Sequence, residues 1–179
     1  CKLKNEQFIG DFLVTILVGK TLFIEDEIIK SNITNFQSLP HRFEEMIIND
    51  QLIVINDSKA TNPYATKEAI NNLINRYKDY YLILILGGKA INEDYQVLNN
   101  INFLDKVYLI GENKNYLKKL FCNGISEFNT IDEVLLDISN HIKDKTVILF
   151  SPASPSYDSY SSYIERGNIF KEKIKTIFL

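Results

Sequence analysis

The apolar and polar positions divide the chain into two regimes. Residues 1–38 carry apolar positions at helical spacing and no strand pattern. Phe8, Phe12, Leu13, Ile16 and Leu17 recur on one face, and Glu27, Ile28 and Ile29 fall in a second short helical stretch. From Leu39 onward, short apolar runs alternate with amphipathic stretches. Met46–Ile48 and Leu52–Ile55 flank the turn residues Asn49 and Asp50, which predicts a β-hairpin. Ile70, Leu73, Ile74 and Tyr77 repeat at i, i+3, i+4 and i+7, with Asn62 placed as N-cap and Pro63 as the first helical residue. Tyr81–Leu86 reads YLILIL without polar alternates, as a strand buried on both faces does, and ends at Gly87-Gly88. Val107–Ile110 and Thr146–Phe150 (TVILF) read as further strands. Between them, a helix is predicted around Tyr116–Phe121, stopping near Asn123-Gly124. Thr130 and Glu133 form a capping box ahead of Ile131, Val134, Leu135 and Ile138. A last helix is predicted from about Tyr160 to Lys175. This rhythm predicts an α/β fold: a doubly wound, mostly parallel sheet with one antiparallel strand from the hairpin, preceded by short helices.

Composition narrows the class. The chain has 179 residues, 45% hydrophobic and 24% charged, an ordinary globular balance that excludes a disordered or fibrous chain. A net charge of −3 leaves no electrostatic footprint for nucleic acid or an anionic membrane. Cys1 and Cys122 have no metal or redox spacing and build no disulfide framework. No apolar run reaches the ~20 residues that span a bilayer, and no signal-peptide pattern is legible. The first residue is Cys1 rather than Met, which predicts a fragment.

The candidate chemistry follows from the topology, because ligands of open α/β sheets bind beyond the carboxyl ends of the strands. Three polar segments fall there: Asn56-Asp57-Ser58-Lys59-Ala60-Thr61-Asn62, Gly87-Gly88-Lys89, and the serine- and proline-rich stretch 151–159. All three are expected on one rim. Asp57, Lys59 and Thr61 alternate, so they project together if strand geometry continues. A lysine and a hydroxyl just before a helix N-terminus make a natural anion site. The same residues also read as turn and cap residues with Lys59 solvated. Gly87-Gly88 permits close backbone approach to a ligand, or simply a tight turn. Ser151, Ser154, Ser156, Ser159 and Ser161 supply hydroxyl donors for a carboxylate or phosphate, or form an ordinary loop. No histidine stands at a spacing that suggests a nucleophile–base pair. His141 falls in a helical segment, which disfavours a serine hydrolase.

Two patterns mislead. Gly19-Lys20-Thr21 has the tail of a P-loop, but the required upstream glycine is Val14 and the flanks read as an apolar helix. Glu25, Asp26 and Glu27 are neighbours that face different sides of a helix, a solvated first turn rather than a metal site.

Five short motifs occur in order: Leu39-Pro40-His41-Arg42-Phe43-Glu44, Asn56 to Asn62, Leu86-Gly87-Gly88, Ser151-Pro152-Ala153 and Glu165-Arg166-Gly167-Asn168-Ile169-Phe170. Together residues 36–172 resemble the C-terminal part of the Mur ligases, in particular the branch that adds D-glutamate. The resemblance implies a cytoplasmic, monomeric, three-domain enzyme of peptidoglycan synthesis that uses ATP with Mg2+, D-glutamate and UDP-N-acetylmuramoyl-L-alanine, and neither nucleic acid nor membrane. Residues 1–37 are then the helical tail of a central ATPase domain. Residues 38–179 are the Rossmann-like domain that brings the amino acid. The P-loop, the UDP site and the magnesium ligands belong to parts outside this chain, so the fragment alone is expected to be inactive and to hold no metal. By the family pattern, Arg42 and Asp57 contact the nucleotide. Lys59, Thr61 and Ser156 line the D-glutamate site, and Tyr163 closes it where the family commonly has Phe. The family also places a Lys or Arg three residues after the second glycine. That position is Ile91 here, and Lys89 is expected to supply the missing cation. Two alternatives stay open: a Mur-type ligase for another amino acid, and a standalone α/β binding module without ligase activity.

Overall fold

The computed structural model describes residues 9–99, 101, 103–121 and 124–179. Phe8, Cys1, Cys122 and Asn123, which the sequence reading singles out, lie outside them. The chain forms two compact units that divide after Leu39.

The first unit holds two helices, α1 (Ile9–Thr21) and α2 (Asp26–Thr34). Gly19 lies in the last full turn of α1, where a Cβ would stand 2.7 Å from the side chain of Ile29. Gly19-Lys20-Thr21 is therefore packed helix and not a phosphate-cradling loop. Asp26 and Glu27 form the exposed first turn of α2, as the sequence suggests.

The second unit is a six-stranded sheet flanked by helices. Its elements in chain order are β1 (Glu44–Asn49), β2 (Leu52–Asn56), α3 (Pro63–Arg76), β3 (Tyr81–Gly87), β4 (Lys106–Ile110), α4 (Lys114–Leu117), β5 (Ile125–Glu127), α5 (Ile131–His141), β6 (Thr146–Phe150) and α6 (Tyr163–Phe178). The strand order is β1-β2-β6-β3-β4-β5. Among the described residues, only the hairpin pair β1–β2 is antiparallel; the other pairs run parallel.

The unbroken apolar runs are explained by burial on both faces. Side chains alternate across a strand. On one face Ile53, Ile55, Leu82, Leu84 and Leu86 pack with Ala69, Ile70 and Leu73 of α3. On the other, Leu52, Val54, Ile83 and Ile85 pack with Val134, Leu135 and Ile138 of α5 and with Phe170 and Ile174 of α6. Local signals set the helix starts. Asn62 accepts from the Ala65 N–H at 2.9 Å with Pro63 next, and the Thr130–Glu133 capping box is fully formed.

Three local readings differ. The helix expected at Tyr116–Phe121 is α4, starting at Lys114, followed by a 3₁₀ turn over Lys118–Leu120. The last helix starts at Tyr163 and not Tyr160, because Ser162 is its N-cap and accepts from the Glu165 N–H. A second 3₁₀ turn at Tyr95–Leu98 and the three-residue β5 carry too little periodicity to be read from sequence. Among the described residues, no helix is long and apolar enough to cross a membrane.

Candidate functional site

The polar segments after β2, β3 and β6 meet on one rim, at the carboxyl ends of the parallel strands. The meeting is built from backbone bonds. Gly87 N–H donates to the Pro152 carbonyl and Lys89 N–H to that of Pro155, both at 2.9 Å. Gly88 is required here, since a Cβ would stand 2.5 Å from the Pro155 oxygen. The close approach that Gly87-Gly88 permits is thus spent on the 151–159 loop of the chain itself.

Strand geometry does not continue through Asp57, Lys59 and Thr61. The chain turns after Asn56, with Ala60 N–H donating to the Asp57 carbonyl and Thr61 N–H to that of Lys59. The turn points Asp57 inward, where it is buried. Its Oδ1 accepts from the Phe43 N–H at 3.0 Å and its Oδ2 from the Ser151 hydroxyl at 2.8 Å. Burial pushes the carboxyl up to about 7, against the opposing pull of these two bonds and of the nearby Arg42 charge. Arg42 and Asp57, the two residues expected at a nucleotide, therefore do lie near each other.

Lys59 and Thr61 are half-buried at the rim. The Lys59 ammonium stands 6.0 Å from the centre of the Tyr163 ring, at the outer reach of a cation–π contact. Tyr163 opens α6, and its carbonyl accepts the Ser58 hydroxyl at 2.8 Å. Ser156 is buried in the adjoining loop, and its carbonyl takes the N–H groups of Ser159 and Tyr160. Lys89 shares that loop through its backbone, but its side chain leaves the turn and pairs with Glu112 at 2.7 Å. The side chain of Ile91, where the family pattern places a cation, packs against the hydrophobic core.

Two buried residues to which the sequence pattern assigns no role organise this rim. Arg166, 2% exposed, donates to the Ser58 hydroxyl and carbonyl and to the Ser154 carbonyl. Arg166, Phe170 and Ile174 repeat at four-residue spacing, so a charge on the apolar stripe of the last helix was the available signal. His41 is also buried. Its Nδ1 lies 2.9 Å from the Asn56 amide, which also donates to the Gly167 carbonyl at 3.0 Å. A third buried set joins Tyr95, Ser154 and Asn113, with Asn113 Oδ1 accepting from the Gly88 N–H at 3.0 Å. Beside these groups a cleft of about 220 Å³ opens between the ends of β3 and β4 and the starts of α5 and α6. His141, by contrast, is exposed at the end of α5 and bonds only its own helix.

Among the described residues, no three His, Cys, Asp or Glu side chains cluster as metal ligands. On this rim the Lys59 ammonium stands beside the Tyr163 ring, and the Lys89 ammonium is held by Glu112.

A model of the Mur ligase glutamate ligase domain matches residues 41–154. The UDP-N-acetylmuramoylalanine--D-glutamate ligase of Prochlorococcus marinus (strain MIT 9515) is 34% identical over 186 residues, covering 99% of this chain and 38% of that protein. The ligase of the same name from Aquifex aeolicus (strain VF5) is 34% identical over 182 residues, covering 99% of this chain and 43% of that protein. The chain therefore spans about two fifths of these relatives. Among solved structures, the MurF ligase from Thermotoga maritima in complex with ADP overlays with a TM-score of 0.67 at 17% identity, over 91% of this chain and 36% of that one. A MurF structure from Acinetobacter baumannii gives 0.73 at 15% identity, over 96% and 38%. At these identities the structural overlays speak for the fold alone.

Proposed function

The chain belongs to the Mur ligase family, and from that premise we propose that it is the amino-acid-delivering part of an ATP-dependent ligase joining D-glutamate to UDP-N-acetylmuramoyl-L-alanine. In that reaction ATP phosphorylates the L-alanyl carboxylate. The D-glutamate amine attacks the acyl phosphate, an amide forms, and ADP and phosphate leave. The work of the protein is to position the reactants and neutralise phosphate charge.

One observation carries the reading. Arg166 ties the 56–62 turn to the 151–159 loop, and Ser58 ties that turn to the first turn of α6, so the segments that carry Lys59, Thr61, Ser156 and Tyr163 meet on one rim. A dicarboxylate needs cationic and hydroxyl donors, and these residues supply them. Lys59 and Lys89 give the positive charge, Thr61 and Ser156 give hydroxyls, and the Tyr163 ring closes the apolar side. Arg42, by its fork geometry, serves the ATP phosphates; Asp57, expected at the nucleotide with it, is buried with Oδ1 on the Phe43 N–H and Oδ2 on the Ser151 hydroxyl. Among the described residues, no three His, Cys, Asp or Glu side chains stand together as a ligand set for Mg2+. Residues 1–37 fit the helical tail of a central ATPase domain, in an enzyme that acts as a soluble cytoplasmic monomer.

A second reading keeps the ligase and changes the amino acid. It is favoured by Ile91, which fills with hydrocarbon a position where a carboxylate-gripping cation is expected. Phosphate release by the full-length enzyme, with ATP, UDP-N-acetylmuramoyl-L-alanine and one amino acid at a time, decides between them. Release that depends on D-glutamate supports the first reading. Release that depends on another amino acid and not on D-glutamate replaces it with the second.

A further inference from the structure

The rim segments do not hold one another by chance contacts; they share one buried cation. The three donor nitrogens of Arg166 are all used. Nε donates to the Ser58 hydroxyl at 3.0 Å, Nη2 to the Ser58 carbonyl at 2.7 Å and Nη1 to the Ser154 carbonyl at 2.9 Å. Ser58 sits between Asp57 and Lys59, and Ser154 stands two residues before Ser156. The Ser58 hydroxyl passes the contact on to the Tyr163 carbonyl. The third segment is close as well: a Cβ on Gly88 would lie 3.2 Å from Nη1. One guanidinium therefore touches or borders every segment that carries a proposed amino-acid contact.

The chemistry of that contact is unusual for a structural tie. None of the three bonds goes to a carboxylate, and burial lowers the Arg166 pKa to about 10 against the opposing pull of the nearby Asp158 charge. A buried charge bonded only to neutral acceptors is a poor way to gain stability, because its desolvation is incompletely repaid. It is a good way to fix two carbonyls at a set separation, because the planar fork has one geometry. An apolar residue or a lysine in its place leaves the Ser58 and Ser154 carbonyls free to drift apart. That drift would move the Ser156 loop relative to the Lys59 turn, while Arg42 stays with the Lys59 turn, since the Lys59 N–H donates to the His41 carbonyl at 3.0 Å and the Phe43 N–H to Asp57 Oδ1.

We propose that Arg166 is a positioning residue for the amino acid: it sets the separation of the Lys59 turn from the Ser156 loop and does not itself touch substrate. The proposal rests on the reading of this rim as the amino-acid site. Its test is kinetic, in the full-length enzyme. Arg166→Lys keeps the charge and loses the fork. It is expected to raise the KM for D-glutamate at least about tenfold while the KM for ATP stays within about twofold and the melting temperature changes little. Ser58→Ala removes the hydroxyl and the link to Tyr163 while leaving Arg166 intact. It is expected to raise the same KM, and the double variant to do no worse than the more damaging single one, as two ends of one contact do.

Equal rises in both KM values, independent additive effects of the two substitutions, or an unchanged D-glutamate KM would overturn the proposal. A purely structural Arg166 would lower the melting temperature and leave the KM values of the folded enzyme alone. Should Arg166→Lys fail to fold, Ser58→Ala alone decides through the same KM split. If the wild-type enzyme takes a different amino acid, the substrate reading falls, and the same split measured for that amino acid decides the role of Arg166. An enzyme that ligates nothing overturns both.

Discussion

Lys89 and Glu112 face each other across the carboxyl ends of β3 and β4, with Nζ 2.7 Å from Oε2. Neither belongs to the core. The Lys89 side chain is 44% exposed, so the pair is solvent-screened and contributes little to stability. It does decide where the ammonium waits. A lysine that must meet a substrate carboxylate has first to leave Glu112, and its long stem allows that. In the full-length enzyme, Lys89→Ala is expected to raise the D-glutamate KM about tenfold, with ATP use little changed. Glu112→Gln, which frees the ammonium, is expected to lower that KM. Steady-state kinetics at varied D-glutamate checks both, and an unchanged KM in the alanine variant returns Lys89 to the solvent and leaves Lys59 to act alone.

Arg42 stands three residues into the second unit and bears electrostatically on Asp57. Arg42→Ala is expected to hurt ATP use by about 1.5–3 kcal/mol, roughly ten- to a hundredfold, the worth of a charged hydrogen bond. D-Glutamate use should suffer less. Arg42→Lys should recover only part of the loss, since the fork is gone. Apparent ATP affinity and rate equal to wild type in the alanine variant would remove Arg42 from the nucleotide.

What the sequence made legible, and what it did not, divides along the range of the interaction. The Asn62 cap and the Thr130–Glu133 box depend on residues three apart and could be read directly. YLILIL could be read because both faces of β3 are covered. β5 could not, since its three residues are strand only by pairing with Val107–Leu109 of β4. The rim followed from topology, because parallel strands put their carboxyl ends together. The inward turn of Asp57 did not, because it is set by Phe43 and Ser151, and Ser151 is 94 residues away. Arg166 was in plain view inside a motif, yet its Ser58 partner lies 108 residues away, and no local spacing announces it.

Gly167 tests whether packing or propensity governs α6. Alanine in a helix interior is worth ~1 kcal/mol over glycine. At this position, however, a Cβ would stand 2.4 Å from His41 Nδ1 and 2.6 Å from Cγ, against a buried ring already held by Asn56. Overpacking of that kind costs about 1–3 kcal/mol. Gly167→Ala is therefore expected to destabilise the protein, and denaturant unfolding that shows a gain in stability would mean the His41 ring moves aside freely.

The chain by itself is expected to release no phosphate from ATP in the presence of UDP-N-acetylmuramoyl-L-alanine and D-glutamate. The one P-loop-like tripeptide, Gly19-Lys20-Thr21, is built into α1, and the chain matches 38% of the Prochlorococcus ligase. Turnover by the purified chain would show that this unit carries its own phosphate site.

Asp57 and His41 give the stability a pH dependence whose sign can be worked out. The Asp57 carboxyl is held at about 7 in the folded protein against an ordinary value of 3.8, because burial disfavours its charge. The folded state thus binds the proton more tightly than the unfolded chain. The resulting stabilisation is fully present below about pH 4 and is lost as pH rises through about 7. His41 works on the other limb. Burial lowers its pKa below 6.5, with Lys171 pushing the same way and Glu44 and Asn168 opposing. Its contribution is present above 6.5 and is lost as pH falls through the folded value. Asp57→Asn separates the two. The amide oxygen keeps the Phe43 N–H bond. The amide nitrogen donates to Ser151, whose hydroxyl can turn to Thr66 Oγ1, 2.9 Å away. The variant lacks the titration while His41 is common to both proteins. Its melting temperature, relative to wild type, should therefore rise steadily between about pH 4 and about pH 7 and level off above that. Thermal melts across that range measure the difference, and parallel curves would mean that Asp57 stays ionised in the fold, paired with Arg42 strongly enough to overcome its burial.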